Sequence, residues 1–321
     1  KKMKESKLKN VLRVILFPLL FVRKHIIIAR DKRLAKTNPQ KLAGLLYKSV
    51  MHKDMDWDNP QDLNAKIQWL KFYGDQDLWI LCADKYRVRS YIEEKGFGNM
   101  LVDLYGVWNN VEDIDWESLP NKFVMKMNND SGGIYICKDK ASFDIETTKQ
   151  LLNDKLHSTY SDLFVEPHYC KIKPCIIAEQ LLDSDNQDMD SASLIDYKVW
   201  CFDGEPLYII VYYDRTEGHA KVSAYDTKWN YSPNICAPNK VFGVPKDVVP
   251  KPSCLDEMLH AASILSKGHP QVRVDFYVVG GKCYFGEMTF TSCGGYMGYF
   301  TEEALLEMGA KTNLKLSPKK S

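Results

Sequence analysis

The chain has 321 residues, 45% of them hydrophobic, with 43 Lys and Arg against 42 Asp and Glu for a formal net charge of +1. That size and apolar content allow a substantial core in two or three lobes. The near-neutral balance argues against nucleic acid as a partner. Nine cysteines without a C-x-x-C pair argue against a disulfide framework and a structural zinc site, and suit a reducing cytoplasm.

In chain order, Lys1, Lys2, Lys4, Lys7 and Lys9 precede an apolar run from Val11 to Val22. The run is shorter than the ~20 residues that span a bilayer and holds Arg13 and Pro18. A basic, apolar helix over residues 1–35 is expected. It is a candidate for contact with the inner face of an anionic membrane through residues 1–28, or else packs on the protein. Helices follow: Leu63, Ile67 and Leu70 share a helical face after the turn at Asn59-Pro60, and Ala83 to Glu94 reads as one helix ended by Gly96 and Gly98. From Met100 the pattern changes to short strands over 101–107, 123–127 and 134–137, then a helix near 146–156 and a strand over 175–181. Asp203-Gly204 marks the turn of a β-hairpin. A helix over 254–265 precedes two strands, 272–278 and 282–289, hinged at Gly280-Gly281. This order predicts α+β lobes and not an alternating βαβ sheet, with boundaries near residues 35, 115 and 190: an N-terminal lobe over 36–115, a central lobe over 116–190 and a C-terminal lobe over 191–321.

Three segments carry candidate chemistry. Along Val272–Tyr277, Arg273, Asp275 and Tyr277 project to one face of a strand, and Phe285, Glu287 and Thr289 share a face of the next. Pairing of the two strands lets Asp275 and Glu287 converge. Two close carboxylates call for a cation, and oxygen ligands of this kind suit Mg²⁺ shared with phosphate. Arg273 beside them can stabilise charge developing on a transferring phosphoryl group. Lys126 ends a strand before the turn Ser131-Gly132-Gly133, whose backbone can meet phosphate oxygens although it is no Walker loop. The apolar strand over 176–178 ends at Glu179, where backbone groups can meet a planar base.

A lysine in a helix, a lysine before a Ser/Gly-rich loop, a strand ending in Glu, then R-x-D and a later Glu: this order resembles the ATP-grasp superfamily. The likeness is to its TupA-like branch, associated with teichuronopeptide and bacterial surface-polysaccharide (capsule) synthesis. It runs through Leu63–Lys71, Ala83–Arg89, Leu119–Lys126, Asp196–Lys198 and Val272–Asp275, and covers roughly residues 40–310. The resemblance implies an ATP-grasp fold, with the nucleotide held between two α+β lobes behind a helical N-terminal region. It further implies that Lys85 and Lys126 contact ATP phosphates under a mobile cover, Ser131-Gly132-Gly133. Glu179 and the backbones of Gln180 and Leu182 match the adenine hinge, and Lys198 faces ribose and phosphates. Arg215 or Lys221 is the further cation toward the γ-phosphate. Asp275 and Glu287 match the magnesium ligands, and Arg273 the group facing an acyl phosphate. Many members have Asn two residues after the second acid; Thr289 stands here, and its hydroxyl is the third candidate metal group, able to ligate magnesium or bond a metal-bound water.

The implied activity is that of an ATP- and Mg²⁺-dependent ligase with Arg273 and Lys198 as catalytic residues. It activates a carboxylate as an acyl phosphate and joins it to an amine. The expected substrates are a uronic-acid saccharide and an amino acid, with the reverse polarity open. Phe290–Tyr296 is a candidate acceptor loop or a mere connection. A glycosyltransferase and a non-catalytic scaffold are the alternatives; release of ADP and phosphate separates ligation from both.

Overall fold

Residues 24–130, 132–158, 164–216, 219–237, 242–243 and 248–317 are described by the computed structural model. The basic, apolar run up to residue 23 and Ser131 lie outside the described residues. The N-terminal part is helical. Residues 24–37 (α1) lead into α2, Pro39–Met51. Asn38 starts α2 by accepting from the Lys41 N–H at 3.0 Å, with Pro39 in the first turn where a missing donor costs nothing. Asp62 caps α3, Leu63–Tyr73, in the same way. Leu63, Ile67 and Leu70 are buried as their spacing requires.

The helix expected over 83–94 is shorter than that: it starts only at Val88, and Ala83 closes the helix before it. α4, Asp77–Ala83, ends where Asp84 turns the chain, and α5, Val88–Glu94, begins after it. The Asp84 carboxylate accepts from the N–H groups of Tyr86 and Arg87 at 2.9 and 3.0 Å. This local bond offers the backbone an alternative to the helical ladder. Lys85 rides on that turn.

Strands β1 (Leu104–Trp108), β2 (Phe123–Met127), β3 (Ile134–Cys137) and β4 (Ile176–Glu179) form an antiparallel sheet in the order β1-β4-β2-β3. Helix α6, Ile145–Leu156, covers it with Leu152 against Phe123, Met125 and Met127. A four-residue helix, α7 (Pro167–Cys170), precedes β4. Because β1 pairs with β4, a boundary at 115 separates β1 from its own sheet.

The second sheet runs β10-β9-β5-β6-β7-β8: Lys282–Thr289, Val272–Val279, Asp196–Phe202, Glu205–Thr216, His219–Asp226 and Phe242–Gly243. Its pairs are antiparallel except β7 with β8. One face, with Val199, Val274, Phe276 and Met288, packs in the main core with α8, Leu255–Ser266. Helix α9, Glu302–Lys311, packs against α3. These helices with one antiparallel and one mainly antiparallel sheet are the α+β architecture expected from the sequence.

Candidate active site

The acids meet because of a bulge. From Lys282 opposite Val279 to Phe285 opposite Phe276, β10 and β9 keep a simple hairpin register. Continued unbroken, it would set Glu287 opposite Val274, on the core face. Instead the register slips at Gly286, and Glu287 stands opposite Asp275 and Thr289 opposite Arg273. One extra residue flips every later side chain to the other face. Gly286 fits because a β-carbon there would lie 3.0 Å from the Asp275 carbonyl oxygen and 3.1 Å from Tyr277 Cε2. On the other side of β9, Lys198 of β5 stands opposite Asp275. Lys198, Asp275 and Glu287 therefore form one row across three strands.

Charges in this row are closely joined. Arg273 donates to Asp275 through Nε at 2.6 Å and Nη2 at 2.7 Å, and Nη2 also meets Glu287 and Thr289 Oγ1, both at 3.0 Å. Its Nη1 donates to Ser292 Oγ at 2.6 Å. Lys198 Nζ is 2.5 Å from Asp275 Oδ2 and 3.5 Å from Asp196 Oδ1. Thr289 Oγ1 donates to Glu287 at 2.9 Å. Burial alone would push the Glu287 carboxyl up; Lys85, then Arg273 and Lys198, hold it down at about 2. Burial opposes the Arg273 charge as well, but Asp275 and Glu287 keep this guanidinium well above its ordinary value.

A second group faces this row from the small sheet. Lys85 Nζ donates to the Asp130 carbonyl at 2.6 Å and lies 3.9 Å from Glu287 Oε2. Burial pushes its ammonium down, which Glu287 opposes and Lys126 reinforces. Lys126 Nζ is 2.5 Å from Glu179 Oε2, and Arg89 Nη1 is 3.5 Å from the other oxygen. The Gln180 N–H donates to Asp103 at 2.9 Å, where β4 ends. A cavity of ≈210 Å³ lies between the sheets, lined by Lys85, Lys126, Glu179, Gln180, Leu182 and Glu287 among others. It shares Leu182 and Tyr277 with an outer cleft of ≈440 Å³ that includes Asp196 and Arg215. On the other side of Glu287 a third cavity, ≈610 Å³, is lined by Arg273, Thr289, Ser292, Glu166 and Tyr296. Glu287 and its neighbours thus stand between two cavities.

Of the residues singled out in the sequence, Lys85, Lys126, Glu179, Gln180, Leu182, Lys198, Arg273, Asp275, Glu287 and Thr289 come together around these spaces. Gly132 and Gly133 follow Asp130 with φ of 119° and 62°. Arg215 joins at the margin through Asp196 at 2.5 Å. Lys221 does not join the row: its Nζ pairs with Asp214 at 2.7 Å on the outer strands. Sequence reasoning missed Arg89, Asp196 and Glu166; Ser292 lies in Phe290–Tyr296, the segment read as a candidate acceptor loop or a connection. Asp196 had a legible signal, two residues before Lys198 on one strand face; Arg89 reaches the site from the first turn of α5, and Glu166 from the segment before α7.

The segment Leu63–Lys71, part of the text that carries the resemblance, also acquires a physical reason. Along one face of α3, Asn64 Oδ1 accepts from the Met297 N–H at 3.1 Å, Gln68 Nε2 donates to the Gly295 carbonyl at 2.8 Å, and Lys71 Nζ donates to the Gly294 carbonyl. These polar groups pin the turn after β10 that walls the third cavity.

Among the described residues, no cluster of three or more His, Cys, Asp or Glu side chains stands ready to hold a metal alone. Asp275 and Glu287, directly opposite each other, offer two hard oxygen donors. Such a pair fits Mg²⁺ whose remaining ligands are phosphate and water.

A fold of this kind, two sheets enclosing a cleft lined by lysines and a carboxylate pair, is that of the ATP-grasp proteins. The model of the TupA-like ATP-grasp family matches residues 65–312, and the chain belongs to that family. No curated protein matches it. Among solved structures it is similar to a D-alanine–D-alanine ligase from Helicobacter pylori, with 13% identity, TM-score 0.42, and coverage of 82% of this chain and 69% of that one. It is similar to an L-amino acid ligase from Bacillus licheniformis, with 15% identity, TM-score 0.43, and coverage of 75% and 51%. A third is a D-alanine–D-alanine ligase from Bacillus anthracis complexed with ATP, with 16% identity, TM-score 0.38, and coverage of 74% and 66%.

Proposed function

We propose that this chain is an ATP-dependent carboxylate–amine ligase that joins an amino acid to a uronic-acid sugar of a bacterial surface polysaccharide. The observation that carries the ligase reading is the row Lys198–Asp275–Glu287, with Arg273 across it, standing between two separate cavities. ATP occupies the inner cavity, its adenine edge on the Gln180 and Leu182 backbones beside Glu179. Its phosphates lie toward Lys85, Lys126 and the turn Ser131-Gly132-Gly133, with Lys198 and Arg215 on the other flank. Lys221, paired with Asp214, is left out of this assignment.

Asp275 and Glu287 would hold Mg²⁺, with Thr289 bonded to Glu287. When bound, the ion neutralises charge on the phosphate oxygens. The substrate carboxylate enters from the Arg273 side and attacks the γ-phosphorus, releasing ADP and leaving an acyl phosphate. The amine then attacks the acyl carbon and expels phosphate. Arg273 and Lys198 stabilise the charge that develops in both steps, and the row supplies position more than covalent chemistry. The covering turn keeps water from the acyl phosphate.

The saccharide part rests on membership in the TupA-like family alone. A screen for ADP release across amino acids with uronate oligosaccharides, read by mass spectrometry, tests it. The expected product has the summed mass less one water; turnover of a nucleotide sugar without ADP would overturn the reading. We further propose a cytoplasmic site at the inner face of the membrane, reached through residues 1–28. Within the described part, Ile26, Ile27 and Ile28 are exposed beside Lys24, Arg30 and Arg33. No described helix is long and apolar enough to cross a membrane.

A further inference from the structure

Beside the glycine turn, Gly132-Gly133, lies an ion pair that the ligase chemistry above does not use. Asp130 is 4% exposed, and its carboxylate accepts from Lys155 Nζ at 2.5 Å. Lys155 stands in the last turn of α6. That helix packs on Phe123, Met125 and Met127, whereas Val124 and Lys126 of the same strand line the inner cavity. Alternation along β2 puts these two sets on opposite faces. Lys155 therefore reaches Asp130 from behind the sheet.

Asp130 joins that cation to two parts of the phosphate site. Its carbonyl accepts from Lys85 Nζ at 2.6 Å and so sets where this ammonium stands, 3.9 Å from Glu287. Its carboxylate supports the turn. A β-carbon on Gly133 would lie 3.0 Å from Asp130 Oδ2 and 3.3 Å from Lys155 Cε, so the backbone folds back directly onto the ion pair. The positive φ of both glycines permits that fold. Upstream the chain is anchored separately. The Lys85 N–H donates to the Asn128 carbonyl at 3.0 Å, and buried Asn128 Oδ1 accepts from the Cys175 N–H at 2.8 Å. Beyond Asn128 the path depends on the Asp130 carboxylate. A buried carboxylate deprived of its cation is costly, and the backbone that carries it shifts to reach water.

We propose that Lys155 is a positioning residue for the triphosphate: through Asp130 it fixes both the glycine turn and the Lys85 ammonium, without touching the nucleotide itself. This rests on the ligase reading and adds to it a residue outside the cleft on which phosphate binding depends. The adenine edge, held at Gln180 and Leu182, does not depend on it.

The test uses the full chain and calorimetry with two probes, Mg²⁺ with the non-hydrolysable analogue AMP-PNP, and AMP, which shares the adenosine but not the triphosphate. Lys155→Met should weaken AMP-PNP about tenfold or more, the scale of a lost hydrogen bond to charge, and leave AMP within about twofold of wild type. Lys155→Arg should restore most of the AMP-PNP affinity. Asp130→Asn should show the same selective loss, and the double variant should bind no more weakly than the weaker single one. In the nucleotide-free proteins, hydrogen exchange in peptides covering 128–136 should be several-fold faster in Lys155→Met than in wild type. Wild-type AMP-PNP affinity in Lys155→Met, an equal loss of AMP, or additive losses in the double variant each overturns the inference alone. A drop in melting temperature with both affinities intact would mark a merely structural pair and overturn it too. Failure of the wild-type protein to bind AMP-PNP overturns the ligase reading itself.

Discussion

Asp275→Asn and Glu287→Gln remove the two acids assigned to the same ion, yet the structure separates their costs. Asp275 has a side chain 2% exposed and neutralises both Arg273 and Lys198. Removing one member of a buried charge set costs about 3–5 kcal/mol, because the remaining charges stay buried. Glu287 is 36% exposed, and pairs that open to solvent contribute ~1 kcal/mol or less. With an unfolding entropy of about 2.1 cal/mol/K per residue, a chain of 321 residues loses ~1.5 °C of Tm per kcal/mol. The ligand-free Asp275→Asn protein should therefore melt about 5–7 °C below wild type, and Glu287→Gln within about 1.5 °C of it. Mg²⁺ with AMP-PNP at a hundred times its Kd should raise the wild-type Tm by about 4 °C, from ~2.7 kcal/mol of linkage. Both variants should lose that rise. Differential scanning fluorimetry reads all six states. Equal melting of the two ligand-free variants would refute the charge accounting, and a full ligand shift in either would refute the metal assignment.

Gly286→Ala puts a β-carbon 3.0 Å from the Asp275 carbonyl oxygen; a cost of about 1–3 kcal/mol and at least tenfold weaker binding of Mg²⁺–AMP-PNP are expected by denaturation and calorimetry, and unaltered binding would show that the bulge does not matter. Lys126→Met should weaken nucleotide binding by about 1.5–3 kcal/mol, roughly ten- to a hundredfold, as for other hydrogen bonds to charge; calorimetry checks it, and wild-type affinity would exclude Lys126 from the phosphate site. Burial pushes His168 down to about 3 and His269 to about 4. Their unfolded forms take up protons below ~6.5, so stability is whole above that pH and falls on acidification at up to ~1.4 kcal/mol per pH unit for each histidine. Urea midpoints should drop between pH 6.5 and 5, and a flat profile there contradicts neutral buried imidazoles.

Much of the fold was legible because it follows local rules. Alternation along Val272–Tyr277 fixed which side chains face the cleft, and the Asp203-Gly204 turn gave the β5–β6 hairpin. Legibility failed where one residue changes register or ends a helix. Alternation alone cannot foresee that Gly286 is the residue left out of the ladder, although the convergence of Asp275 with Glu287 depends on it. Helical periodicity over 83–94 likewise conceals the Asp84 turn that presents Lys85. Glu166 is silent for a different reason: its position depends on a strained turn and on a contact more than a hundred residues away, with Thr291. The grouping of β1 with β4 is also a long-range pairing that composition shifts do not mark.

The account turns on where a triphosphate binds. A crystal structure of the full chain with Mg²⁺ and AMP-PNP tests this most directly. The phosphates should lie between Lys85 and Lys126 on one side and a magnesium ion touching both Asp275 and Glu287 on the other, with adenine against Gln180 and Leu182. Nucleotide bound elsewhere, or a metal ion that leaves both carboxylates in the grip of Arg273 and Lys198, would contradict it.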